Sequence, residues 1–485
     1  MSMEQRYSGE WRFMGSDNSF SGELFVNEEK KTIFLHLVKL ATENPFPSFG
    51  VIGKVMFISG ILRTGAKILL YDCRVGGEHN IVGSRTEVWI RADYAFWGLE
   101  ENGNECLRFK QVKVDFGEII TWSGLCKYEW SLEDMDYSIN KRTLIWSSKQ
   151  ICEYEIDEKV TLSFEPYANK NFQIGDLTKK EVNLTQGVYV VLNYNSDTKW
   201  DQILYDLEKI RKLMSLGMRT AVAIHEILFK HEGNYSTELG YINDARCILG
   251  TGKVGNTYAI HERDYLYNLE GLLENDYISM KKWWEKYNSL KPVVDLYVSA
   301  YDYKDIPVEM LFLNLTQALE TYHARFICDS KSKYKEIVDA FIHKHFGDIK
   351  SHTSDSHIES YREFLYSKEQ EDSKHITLKS RLNYLFLADF RIIIQPFGFG
   401  KRDLIKKIVD TRNYYTHYNP NKYDKSFDLE MLPYVNGLLM IVISYYLMKE
   451  LDIEKERMLD KVNANLGDLE QAYHIYENTA CKTER

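Results

Sequence analysis

The sequence has little of what extracellular scaffolds and long linkers are built from: its 485 residues include only seven cysteines and eight prolines. Cys73, Cys106, Cys126, Cys152, Cys247, Cys328 and Cys481 stand singly, with no C-x-x-C pair, so they indicate neither a disulfide framework nor a zinc ribbon. A reducing cytoplasm suits them. No apolar signal core follows the opening MSMEQRYSGEWRF, and no later run reaches the roughly 18 to 20 apolar residues of a membrane span. The best candidate, residues 435–448 (VNGLLMIVISYYLM), is too short and reads as a buried helix in a soluble bundle, so no membrane partner is expected. Excess positive charge is also missing. The 61 Lys and Arg face 71 Asp and Glu, and a formal charge of −10 repels a polyanion from the chain as a whole. Any nucleic-acid site must therefore be local.

Core material is plentiful. Apolar residues make up 44% and aromatics 14%, including 34 tyrosines, which excludes global disorder and supports roughly two to four domains. Up to about residue 195, β-branched and aromatic runs alternate with Gly and Asn: GELFV at 22–26, TIFLHLV at 32–38, GKVMFI at 53–58, KILLYDC at 67–73 and EVWI at 87–90. KQVKVDF at 110–116, KVTLSF at 159–164 and GVYVVL at 187–192 continue the pattern, which predicts an antiparallel sandwich or open barrel. The period changes at Asp201, where Ile203, Leu204, Leu207, Ile210, Leu213 and Met214 mark one face of an amphipathic helix, followed by a strand at Ala221–Phe229.

Beyond about residue 275 the spacing predicts six helices, over 283–301, 307–328, 334–346, 384–394, 402–416 and 429–451, with loops at 351–357 and 419–425. The expected class is α+β multidomain. A β-rich domain at 1–197 and a mixed α/β extension at 198–274 precede an all-α bundle at 275–485.

The informative stretch is Lys401–Lys425, KRDLIKKIVDTRNYYTHYNPNKYDK. Seven Lys or Arg against three Asp leave it four charges positive inside an acidic chain. Such a patch can bind phosphates, although a solvated helix face has the same composition. Leu404, Ile405, Ile408 and Val409 form the apolar stripe of a helix that Asn419-Pro420 ends just after His417. Arg412 and His417 then lie in the final turns, about 7.5 Å and 140° apart along the helix, and converge if His417 projects from the frayed end. The negative end of the helix dipole favours an imidazolium there.

These residue types suit RNA cleavage without a metal. An imidazole titrating near neutrality can take the 2′-hydroxyl proton or protonate the leaving 5′-oxygen, and a guanidinium can grip two phosphate oxygens. One histidine does both jobs poorly, which predicts a composite site with a second copy of the motif from another protomer. Lys406, Lys407, Tyr414 and Lys422 complete a candidate substrate-binding surface.

Arg412-Asn413-x-x-x-His417 at a helix end, ahead of another long apolar helix, resembles the R-x4-6-H signature of HEPN-domain ribonucleases, with Asn413 as the polar residue after the arginine. More widely, GEWRF…SFSGELFV at 9–26 and LNLTQALETYHARF at 313–326 are similar to ApeA-type anti-phage proteins, a β-rich domain ahead of an HEPN domain. The resemblance implies an abortive-infection endoribonuclease in which Arg412 and His417 are the catalytic pair and no metal or cofactor is needed. Its β-rich domain would sense a phage-derived trigger or restrain the nuclease. RNA, with tRNA among the candidates, would be the substrate, and the HEPN domain would form a homodimer or higher oligomer. An HEPN-like bundle that has lost activity and only binds RNA or nucleotides as a sensor or adaptor is the alternative.

Other features are weaker. Glu320 and His323 share a helix face and could orient an active-site imidazole, or could simply structure the bundle. Gly250-Thr251-Gly252-Lys253-Val254-Gly255 matches G-x-G-x-x-G but reads as a glycine turn, because a strand and not a helix follows it. His343, His345, His352 and His357 lack the partners of a tetrahedral metal site. Phe116, Trp122 and Trp130 could stack on bases, although sandwich cores use the same residues. Cys328 reads as a core thiol.

Overall fold

The computed structural model describes residues 4–483 outside 41–53, 82–83, 100–106, 118, 133–141, 150–152, 174–180, 238–239, 251–260, 304, 328–337, 347–353, 375–376 and 387–399. It divides into two compact units, Met1–Trp284 with Tyr301–Lys304, and Glu285–Ala300 with Asp305–Arg485.

The first unit opens with six strands: β1 (Gln5–Phe13), β2 (Ser19–Asn27), β3 (Thr32–Leu40), β4 (Lys54–Leu62), β5 (Lys67–Ile81) and β6 (Arg85–Trp97). They pair in the order β6-β3-β2-β1-β4-β5, and β5 pairs back onto β6, so the barrel is closed and not open. Closure removes the exposed strand edges that an open sheet would present. Period-two alternation makes the interior: on β3, Ile33, Leu35 and Leu37 are fully buried. Trp11 fills the centre against Gly60, where a Cβ would collide with the indole ring.

The sheet then runs outward from β6 through β14 (Gly240–Leu249), β13 (Glu226–Thr237), β7 (Arg108–Asp115), β12 (Glu181–Lys199), β11 (Val160–Gln173) and β10 (Glu153–Asp157), twelve strands in all. The short helix α1 (Ile119–Ser123) and the hairpin of β8 (Cys126–Leu132) with β9 (Arg142–Ser148) complete it. The expected strand at 221–229 begins only at Glu226. Phe116 and Trp122 are core and not stacking surfaces; the Trp122 indole donates to the Tyr267 carbonyl at 3.0 Å. Cys73, Cys126 and Cys247 are free and buried. Cys106, Cys152, Cys328, Gly252–Gly255 and His352 lie outside the described residues, as do the side chains of Trp130 and Cys481.

Helix α2 (Trp200–Met218) departs from the amphipathic expectation, because its polar side is buried as well as its apolar one. Such burial is tolerable only where charges are matched. Arg211 donates to Asp302 at 2.7 Å and to Glu208 at 2.6 Å, and Lys209 pairs with Asp206 at 3.0 Å. Burial works against ionisation of Glu208, yet the Arg211 and Lys212 charges hold its carboxyl down at about 2.

The second unit is helical: the later part of α3 (Leu269–Asp302), α4 (Val308–Tyr322), α5 (Asp355–Lys374), α6 (Leu378–Leu385), α7 (Lys401–His417), α8 (Leu432–Glu450) and α9 (Lys455–Thr483), with a further helical stretch at 338–346. Helix α6 starts at Leu378, ahead of the helix expected at 384–394, whose residues 387–394 lie outside the described residues. One expectation needs correction: α5 begins at Asp355, inside the expected loop at 351–357. Helix α8 is also longer than the run at 435–448. Its 19 residues are long and apolar enough to cross a membrane by length and composition, but 72% of that window is buried in the protein, where α8 packs against α4 and α9.

Candidate nuclease site

Helix α7 forms because Leu404, Ile405 and Ile408 recur at helical spacing and are fully buried, while Gly400 leads in with extended backbone and Asp403 faces the positive end of the dipole. It stops at His417. Tyr418 turns into the left-handed region at φ 48°, and its N–H donates to the Tyr414 carbonyl. Glycine usually takes that place, and a side chain there costs about 1–2 kcal/mol. Asn419 then caps a 3-10 turn, Pro420–Lys425, by accepting from the Asn421 N–H at 3.1 Å.

Two contacts hold this turn against the helix. Buried Asp410 accepts from Lys422 Nζ at 2.6 Å. Thr411, fully buried, donates to the Lys407 carbonyl at 2.7 Å and accepts from the Phe427 N–H at 2.9 Å. Lys422 is thus tied at its ammonium, and Lys407 lies 4.8 Å above the Phe427 ring, so neither is a freely presented cation; Lys406 is exposed.

Arg412 is 30% exposed and held on two sides. Its Nη1 donates to the neighbouring Asn413 Oδ1 at 3.3 Å, and its Nη2 lies 3.6 Å from Glu320 Oε2 on α4. Asn413 therefore steadies the arginine. His417, the last helical residue, is exposed and among the described residues makes no hydrogen bond or ion pair. The two residues differ: the guanidinium is oriented, and the imidazole five residues further along the helix faces solvent.

Glu320 and His323 do not act together as sequence spacing suggested. The Glu320 carboxylate turns to Arg412, while His323 is 6% exposed at the start of a one-turn π-helix, His323–Ile327, with its ring edge-on to Tyr384 at 5.4 Å. Its Nδ1 has no hydrogen-bond partner among the described residues. Burial, then the Arg381 charge, holds its imidazole below the ordinary value and so favours its neutral form. Residues the spacing missed include Asp410 and Thr411, hidden on the inner face of α7. Tyr415, Tyr418 and Tyr423 were legible only as a tyrosine-rich run. Among the described residues no group of His, Cys, Asp or Glu could hold a metal ion.

Residues 6–278, more than half of the chain, match the family model for ApeA N-terminal domain 1, and residues 313–457 match the one for Apea-like HEPN. The chain belongs to the ApeA family. No curated protein and no solved structure matches it. ApeA and HEPN domains together mark an anti-phage nuclease family, and HEPN domains are generally ribonucleases that commonly dimerise. The ApeA N-terminal match takes in the closed barrel and the strands that extend it. The HEPN match takes in α4 from residue 313 onward and the whole of α7 and α8, and with them Glu320, Arg412 and His417.

Proposed function

We propose that this ApeA-family chain is a cytoplasmic endoribonuclease of anti-phage defence that cleaves RNA without a metal at Arg412 and His417, under the control of its β-rich domain. The observation that carries this reading is the pairing of a braced guanidinium with an open imidazole at one helix end. Arg412 meets the scissile phosphate with its fork already oriented, and its charge offsets the negative charge that builds on the phosphorus oxygens. His417, at the negative end of the α7 dipole, takes the proton of the 2′-hydroxyl or gives one to the leaving 5′-oxygen. One imidazole cannot be base and acid in the same step, so a second protomer supplies the other histidine.

The full-length protein should cut RNA and leave DNA intact in the presence of EDTA, because the 2′-hydroxyl is the nucleophile. His417→Ala should lower the cleavage rate by about 10²- to 10⁴-fold at unchanged melting temperature. Cleavage that EDTA abolishes, or that extends to DNA, would reject the mechanism. Toxicity in cells should follow the same order, with His417→Ala and Arg412→Ala harmless. Domain boundaries near 197 and 274 are part of the same proposal, with the nuclease in the final 211 residues or so from 275 onward.

A further inference from the structure

We propose that Tyr418 and Tyr423 form a stacking site for an unpaired base next to Arg412 and His417. The identity of the strand as substrate rests on the ribonuclease reading above; the platform itself rests on its own geometry. Half-buried Tyr414 is the hub, with the rings of Tyr415, Tyr418 and Tyr423 at 5.0, 5.8 and 5.5 Å and interplanar angles of 68°, 65° and 66°. Edge-on packing of this kind fixes a ring without covering both of its faces. Tyr418 and Tyr423 accordingly remain 65% and 64% exposed.

The backbone gives a second reason. Tyr418 sits in the left-handed conformation that ends α7, where glycine would serve the cap better. What the tyrosine adds at that position is its ring. Charge then selects the occupant. His417 adjoins Tyr418, Lys425 lies two residues beyond Tyr423, and Arg412 lies along the same helix, within a segment four charges positive on an acidic chain, while Lys422 next to Tyr423 is engaged by Asp410. Aromatic faces among cations complement a polyanion that carries planar groups. A single strand offers such faces, whereas bases in a duplex are already stacked on one another.

The test is fluorescence anisotropy of the full-length protein with a fluorescein-labelled single-stranded RNA whose 2′-O-methyl riboses resist cleavage, and with the same strand made abasic. Tyr418→Gly and Tyr423→Ala should each weaken binding of the base-bearing strand by about tenfold. Tyr418→Phe and Tyr423→Phe should bind as wild type, and the abasic strand should bind all five proteins alike. Tyr418→Gly should melt no lower than wild type, which separates loss of stacking from loss of fold. Equal affinities for the base-bearing strand, equal losses on both strands, or a change of oligomeric state without a change of affinity would each overturn the site. If the wild type fails to cut ordinary RNA while tyrosine-dependent binding persists, the nuclease reading falls and the platform stands. Cleavage with tyrosine-independent binding gives the converse.

Discussion

Arg412 carries five donors in a rigid fork, and only part of that capacity is used within the chain. Glu320 at 3.6 Å is too far for a hydrogen bond and close enough to orient, while Asn413 Oδ1 accepts one hydrogen bond at 3.3 Å. The carboxylate therefore steadies the guanidinium without saturating it, and a phosphate can bind without first breaking a tight ion pair. Glu320→Gln should lower kcat by about tenfold without raising KM, since it loosens the guanidinium while the charge it removes is negative and so does not weaken phosphate binding. A rise in KM at constant kcat would show that Glu320 acts on binding instead. His323 gives a second residue-scale expectation. Its imidazole is held below the ordinary value, so the folded chain keeps it neutral where the unfolded chain takes up a proton. Its contribution is fully present above the unfolded value of about 6.5 and is lost as pH falls below that value and through the lower folded one. Denaturation midpoints should thus decline on acidification less steeply in His323→Phe than in wild type; parallel declines would show that the ring does not titrate on unfolding.

At the scale of elements, α7 and the 3-10 turn behind it act as one piece because Asp410 bonds Lys422 in the turn and Thr411 bonds Phe427 just past it. Thr411→Val keeps the shape but orphans the buried Phe427 N–H, which should cost about 1–3 kcal/mol in chemical denaturation. A change within error would show that water or a shifted turn satisfies that group. The same helix shows what could be read beforehand. Leu404, Ile405, Ile408 and the Asn419-Pro420 break are local signals, and they place α7 to within a residue at each end. The Glu320 contact joins residues far apart in sequence, so no spacing rule reaches it. Barrel closure by β5 on β6 is hidden for a similar reason, since each strand's alternation is the same in an open or a closed sheet. Helices α5 and α9 were missed because their faces are largely polar, which leaves a weak hydrophobic period. Helix α2 differs in the opposite sense: its charges pair largely within the helix, Lys209 with Asp206 and Arg211 with Glu208, and one partner, Asp302, arrives from far along the chain, so no local spacing signals their burial.

For the whole molecule, the question is how a chain with a net charge of −10 and one exposed histidine per motif can complete an acid-base cycle on a polyanion. The positive segment answers the charge problem locally, since screening confines each charge to about 8–10 Å at physiological salt. The proton problem needs a second copy. If each site works within one protomer, mixing Arg412→Ala with His417→Ala yields only defective sites. If the site is shared across a two-fold axis, the mixed dimer brings together one intact arginine and one intact histidine from different chains. Co-expression of the two variants under different tags, with purification through both, isolates that species. Its RNA cleavage should exceed either parent by about tenfold or more and stay below wild type, because one imidazole then serves where two did. Recovery no greater than the better parent would place both catalytic groups within a single chain, and the missing acid or base would then have to come from another side chain of the same protomer.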